Sequence, residues 1–345
     1  MEDNPRYVER PVVSPGMLNP VLGWPGKVAS IDPETADLDV GTRDVLRALK
    51  KSSWPAPMYL PVKQIREAFT GLFTEFGFPP LDGARVEEAV ASGPNGDIRL
   101  RIHYPPAAKS PAPALIYFHG GGMMTGQVET WDGACQRIAR EAGVIVVVPE
   151  YRLAPEHHFP AGVEDAYASW LWFRDKGSAY GIDPDRLAIG GDSAGGYLTA
   201  VLTQLCRERG APKAKLQIMI YPALGTLGHG QSLDLFADGY FFSKDELAWT
   251  YAQYVGDAEE FADPRVQPIR ASNFADLPPA LILTAEYDIL RDEGEEYGAL
   301  LRAAGVEADI HRYEHTIHAF LTLGRAIPAA TQAVAKIAKA LREAL

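Results

Sequence analysis

The sequence predicts an α/β fold: a mostly parallel central sheet with helices on both faces and a helical cap. Three features carry that expectation. From about residue 99 onward, short apolar runs alternate with stretches of helical periodicity, which is the pattern of a parallel sheet with crossover helices. One junction between such a run and such a stretch, Gly191-Asp192-Ser193-Ala194-Gly195, has the form of a tight strand-to-helix elbow. The length of 345 residues and the apolar content of 47% suit one large core with appendages.

Residues 1–80 read as an N-terminal helical cap segment and 81–345 as the main domain, with a cap insertion at about 223–263. In the first segment a Pro- and Gly-rich stretch, 11–26, precedes helical patterns, and Val62, Ile65, Phe69, Leu72, Phe73 and Phe76 mark one apolar helix face. The main domain opens with a hairpin, because runs 86–92 and 98–104 bracket Gly93-Pro94-Asn95-Gly96. The run 114–118 is a strand leading into His119-Gly120-Gly121-Gly122, and 187–190 is the strand before the elbow. After the elbow, Leu198, Val201, Leu202 and Leu205 recur at helical spacing, and the helix ends near Gly210. In the insertion, Ser243 and Glu246 form a capping-box signature with Phe242 and Leu247 as its staple, and Leu247, Tyr251, Tyr254 and Val255 form the helix's apolar face. Runs 280–285 and 308–313 are the late strands.

The elbow holds a serine hydroxyl clear of the backbone at the edge of the sheet, which is where a nucleophile belongs. Consecutive glycines let backbone N–H groups converge on one point, as a developing oxyanion requires. Gly121 and Gly122 supply two such amides and Ala194 a third. A phosphate loop is excluded: Gly121 and Gly126 have its spacing, but Gln127 stands where its lysine belongs.

Four motifs in order, His119-Gly120-Gly121-Gly122, Tyr151-Arg152-Leu153-Ala154-Pro155-Glu156, Gly191-Asp192-Ser193-Ala194-Gly195-Gly196 and His318-Ala319-Phe320, resemble those of the hormone-sensitive lipase family of α/β-hydrolases. Within it, the chain is similar to the bacterial family IV esterases with a GDSAG elbow. The resemblance implies the chain order serine, acid, histidine. Asp288 takes the acid position just past the strand 280–285, while Glu286 caps that strand's end and Asp292 caps a helix. His318 takes the base position ahead of Phe320, and His315 is a loop histidine that orders the segment. A metal cluster of His311, His315 and His318 is disfavoured, since His311 sits in an alternating strand and the other two in the loop beyond it. The stretch from Tyr151 to Asp165 is implied to brace the elbow and glycine loop, with Glu164 and Asp165 at a helix start and His157 and His158 in an exposed loop. The resemblance also allows a homodimer paired through the last edge strand.

The activity implied is that of a serine carboxylesterase acting through an acyl-enzyme, with Ser193, His318 and Asp288 as its triad and neither cofactor nor metal. Met123, Met124, Tyr240, Phe241 and Phe242 are placed near substrate in an apolar pocket cramped enough to favour short or medium acyl chains. An amidase or lactonase would use the same triad. A non-catalytic ligand receptor would be expected to lose one of its members, and a nucleotide-dependent oxidoreductase would need a dinucleotide fingerprint that is missing. The net charge of −12 argues against nucleic acid. The charged first residues, with no apolar run after them, and the lack of a span-length stretch read as a cytoplasmic protein without membrane insertion. Cys135 and Cys206 fall on apolar helix faces and read as reduced packing residues.

Overall fold

The sheet begins at one edge with the hairpin, β1 (Val86–Gly93) and β2 (Gly96–His103), closed by a two-residue turn at Pro94-Asn95. This is a computed structural model, and it describes residues 33–345 apart from 53–55, 107–109, 226–229 and 258. The Pro- and Gly-rich stretch 11–26 lies outside the described residues, as do parts of the N-terminal segment and of the cap insertion.

Two helices precede the hairpin, α1 (Val40–Ser52) and α2 (Val62–Phe76). After it come β3 (Ala112–Phe118), α3 (Asp132–Ala142), β4 (Ile145–Pro149), α4 (Ala161–Lys176), β5 (Ile182–Asp192), α5 (Ala194–Glu208) and β6 (Gln217–Ile220). The insertion holds α6 (Ser232–Leu235) and α7 (Lys244–Tyr254); β7 (Ala280–Tyr287), α8 (Arg291–Ala303), β8 (Ala308–Ile317) and α9 (Ala329–Ala344) complete the chain.

The eight strands lie in the order β1-β2-β4-β3-β5-β6-β7-β8, antiparallel through the first two pairings and parallel from β4 onward. The chain steps from β3 outward to β4, then reverses past β3 to β5 and continues to β8. Right-handed crossovers made in opposite directions put their helices on opposite faces. Accordingly α3 packs with α9, and α4 packs with α5. The interior strands are buried on both faces, every residue of β4 and β6 included, which is why they read as unbroken apolar runs rather than alternating ones. Cys135 and Cys206 are buried and unpaired.

The late strands are longer than their apolar runs. β7 continues to Tyr287, and β8 continues through a kink at His315, φ 62°, so that Ile317 pairs with Tyr287 across an irregularity. His315 therefore sits in a strand, not in the loop expected for it. Its N–H donates to Glu286 (2.8 Å), and its carbonyl accepts from Asp39 N–H (2.9 Å) at the head of α1. Among the described residues, no helix is long and apolar enough to cross a membrane.

Candidate active site

The loops that leave β3, β5, β7 and β8 all emerge at the carboxyl end of the parallel strands, so residues 119–122, 193, 288 and 318 meet at one edge of the sheet. Ser193 holds φ 53° and ψ −114°, a conformation that costs a non-glycine residue on the order of 1–3 kcal/mol. The turn is so tight that a Cβ on Gly195 would collide with the carbonyl of Phe118. Ser193 N–H donates to Ile220 O (2.8 Å), which ties the elbow to the end of β6.

Ser193 Oγ lies 2.9 Å from His318 Nε2, and His318 Nδ1 lies 2.8 Å from Asp288 Oδ2. Asp288 is 1% exposed, and its other oxygen accepts from Leu290 N–H (2.9 Å), so the carboxylate is held at both atoms. Phe242 stacks on the His318 ring with centroids 5.3 Å apart, and Tyr221 packs on it at 4.8 Å. The three side chains form an unbroken relay from hydroxyl to imidazole to carboxylate. Such a relay can raise the nucleophilicity of the hydroxyl and stabilise an imidazolium.

Beside the serine, the glycine loop turns on Gly121, φ 116°, whose carbonyl accepts from both Met124 N–H (3.0 Å) and Thr125 N–H (2.9 Å). A side chain there would run into Thr125. The loop is braced from beneath by Asp192. Its Oδ1 accepts from Tyr117 O–H (2.8 Å), Trp131 Nε1–H (2.8 Å) and Gly120 N–H (3.1 Å). Burial pushes this carboxyl up to about 6, even though the three donors oppose the shift. The Tyr151 to Asp165 stretch braces the same loop. Tyr151 stacks on His119 (4.4 Å) and donates to its carbonyl (2.7 Å), while Ala154 N–H donates to Met123 O (2.7 Å). Asp165 is gripped by Arg152 through both oxygens (2.8 Å each), and Glu164 by Arg209 (2.7 and 2.9 Å), so these carboxylates serve arginines as well as a helix start. His157 is exposed and His158 half-buried, its Nδ1 2.9 Å from the Gln253 carbonyl of α7.

A cavity of about 740 Å³ opens over the relay. Ser193, His318, Gly121, Gly122 and Ala194 all line it, as do Met123, Met124, Phe241 and Phe242. Tyr240 does not; it is buried away from the cavity, stacked on Tyr287 (5.5 Å) and edge-on to Phe236 (5.3 Å). The volume is within the range of sites for drug-sized ligands, roomier than a site cramped around a short ester. The apolar face of α2 is explained here: Ile65, Phe69, Leu72, Phe73 and Phe76 line the cavity, and most of them are half-buried rather than packed away.

Two acidic residues next to Asp288 differ from expectation. Glu286 is inside β7 and accepts the His315 N–H instead of ending the strand. Asp292 is the second residue of α8, behind Leu290 at the cap position, and its carboxylate receives the N–H of Ser232 (2.9 Å) at the first residue of α6. Arg66 of α2 gave no signal in the sequence. It donates to Met124 O (2.9 Å) and Ala154 O (3.1 Å) and pairs with both oxygens of Glu156 (2.7 and 2.6 Å), 58 to 90 positions away.

A family model for the alpha/beta hydrolase fold matches residues 115–322. The chain belongs to the hormone-sensitive lipase family of α/β-hydrolases. This hydrolase is 41% identical over 244 residues to the carboxylic ester hydrolase LipN of Mycobacterium tuberculosis, a match covering 69% of the chain and 65% of that protein. It is 40% identical over 264 residues to the esterase LipI of the same organism, covering 76% and 82%. Among solved structures, the hyperthermophilic esterase of Pyrobaculum calidifontis superimposes with a TM-score of 0.83 at 38% identity, over 89% of the hydrolase and 98% of that chain. These relatives bear out the expected enzyme class, carboxylic ester hydrolase.

Proposed function

We propose that the hydrolase is a serine carboxylesterase acting on short- to medium-chain esters through an acyl-enzyme. Ser193 Oγ attacks the ester carbonyl while His318 Nε2 takes its proton, and Asp288 orients the imidazole and stabilises its charged form. The oxyanion is received by the N–H groups of Gly121, Gly122 and Ala194, each such donor being worth about 10²–10³ in rate. Collapse expels the alcohol, which leaves with the proton from Nε2. Water then attacks the acyl group, giving its own proton to Nε2, and the acid departs as Ser193 regains its hydrogen.

The observation that carries this reading is the 2.9 and 2.8 Å relay facing a cavity lined by the glycine loop. A volume of about 740 Å³ has room for a medium acyl chain together with its alcohol and is bounded by α2 and α7. Hydrolysis rates from acetate to laurate, run beside an anilide and with Ser193→Ala as control, test it. The rate should pass through a maximum before laurate, the anilide should lag, and Ser193→Ala should stay folded but inactive. A rate that climbs steadily into emulsified long-chain triglycerides would overturn the chain-length preference, an anilide turned over as fast as the esters would favour an amidase, and an active alanine variant would overturn the nucleophile.

A further inference from the structure

The cavity over the relay is one-sided in charge. Among the described residues its acidic lining is Glu67, Glu75, Asp192 and Glu246, with no lysine or arginine, and Asp192 is buried and already held by three donors. Glu67 and Glu75 are exposed on α2, so water screens them. Glu246 is placed differently. It is the third residue of α7, four positions after Phe242, which stacks on His318, and one turn before Thr250. The Cγ2 of Thr250 lies 2.8 Å from where a Cβ on Gly122 would stand. Glu246 is therefore bracketed by a residue that touches the imidazole and one that touches the glycine loop.

The sequence marks Glu246 as a capping residue, and it is one: its Oε2 accepts from Ser243 N–H and O–H (2.8 Å each). Both contacts use the same oxygen. Oε1 takes no hydrogen bond from a described residue. Burial pushes the carboxyl above its usual range, against the Ser243 hydrogen bonds, a cost that a cation held nearby would offset. Phe69, Phe241, Phe242 and Tyr251 line the same cavity. A cavity that combines a carboxylate with aromatic rings has the chemistry that holds amines and quaternary ammonium groups.

Building on the esterase reading above, we propose that Glu246 makes this cavity select esters carrying a cationic group over uncharged esters of the same shape, and reject anionic ones. The test compares kcat/KM for acetylcholine, for its uncharged isostere 3,3-dimethylbutyl acetate, and for the anionic 4-acetoxybutanoate. The cation should exceed the isostere by about tenfold and the anion should fall below it by about as much. Glu246→Gln can still reach back to the Ser243 N–H, and it should bring the ratio of cation to isostere to within about twofold of one. Equal values for the cation and its isostere in the unmodified enzyme would overturn the proposal, as would an undiminished ratio in a folded Glu246→Gln. If that variant does not fold, the unmodified enzyme's ratio decides alone. Failure to hydrolyse any of the three esters would instead sink the esterase reading and this proposal with it.

Discussion

Asp192 lies within the elbow motif yet serves the neighbouring loop. Three donors, from β3, from the segment ahead of α3 and from the glycine loop, converge on its Oδ1, and the residue as a whole is 2% exposed. The folded state raises this carboxyl from 3.8 to about 6. Its contribution to stability is thus complete below the unfolded value and lost as pH rises through about 6. Asp192→Asn keeps a carbonyl oxygen for the three donors and removes the titration. Urea midpoints at pH 4.5 and 7.5 should show the variant gaining on the parent as pH rises, and parallel behaviour would contradict the assignment. The motif was legible at this position, but Tyr117 and Trp131 were not, because they come from 75 and 61 positions away and carry no spacing signal.

At the scale of elements, Arg66 joins α2 to the loops around the triad. Arg66 extends from α2 to two carbonyls and Glu156, and one of those carbonyls belongs to Met124, just past Gly121 and Gly122. The ion pair is about a third exposed at each partner, so its own value is at most about 1 kcal/mol. The positional effect is the larger one, since loss of 1 Å in a catalytic loop can cost 10²-fold. Arg66→Ala is expected to lower kcat by about tenfold while shifting unfolding by only about 1 kcal/mol, and Arg66→Lys, which keeps the charge without the planar fork, to fall between. A kcat within twofold of the parent would show that α2 does not position the loop. Periodicity revealed the apolar face of α2 and the capping box of α7. It did not reveal that β8 runs on through His315, because a residue with φ 62° interrupts the alternation by which a strand is recognised.

Across the whole molecule, buried histidines govern the response to acid. Burial holds His103 and His119 down to about 4, for His103 against the pull of Asp132, whose Oδ1 lies 3.6 Å from His103 Nε2 without making a hydrogen bond. Between about 6.5 and 4 the unfolded chain takes up protons that the folded one refuses, so their contribution is full above that window and falls as pH drops. Asp192 works in the opposite direction, but two imidazoles outweigh one carboxyl of similar shift. The protein should therefore lose stability between pH 7 and 5, seen as a falling denaturant midpoint. His103→Phe should remove most of that loss, because it leaves one imidazole against one carboxyl of similar and opposite shift. A midpoint unchanged over that range would refute the balance.

By itself, the sequence determined what is local: alternating apolar runs, a glycine-flanked elbow, a glycine loop, a capping box, and an order of motifs sufficient to reach the family and the class of enzyme. Each of these is set within a few residues by backbone sterics or periodicity, so each leaves a pattern in the chain. Only the tertiary structure decided that Arg66 holds Met124, that Asp192 gathers Tyr117 and Trp131, that Tyr240 turns away from the cavity, and that Glu246 faces the cavity between residues touching the imidazole and the glycine loop. Those contacts join residues tens of positions apart, and which of them form depends on how the sheet and its cap close on each other, a matter no short window of sequence encodes.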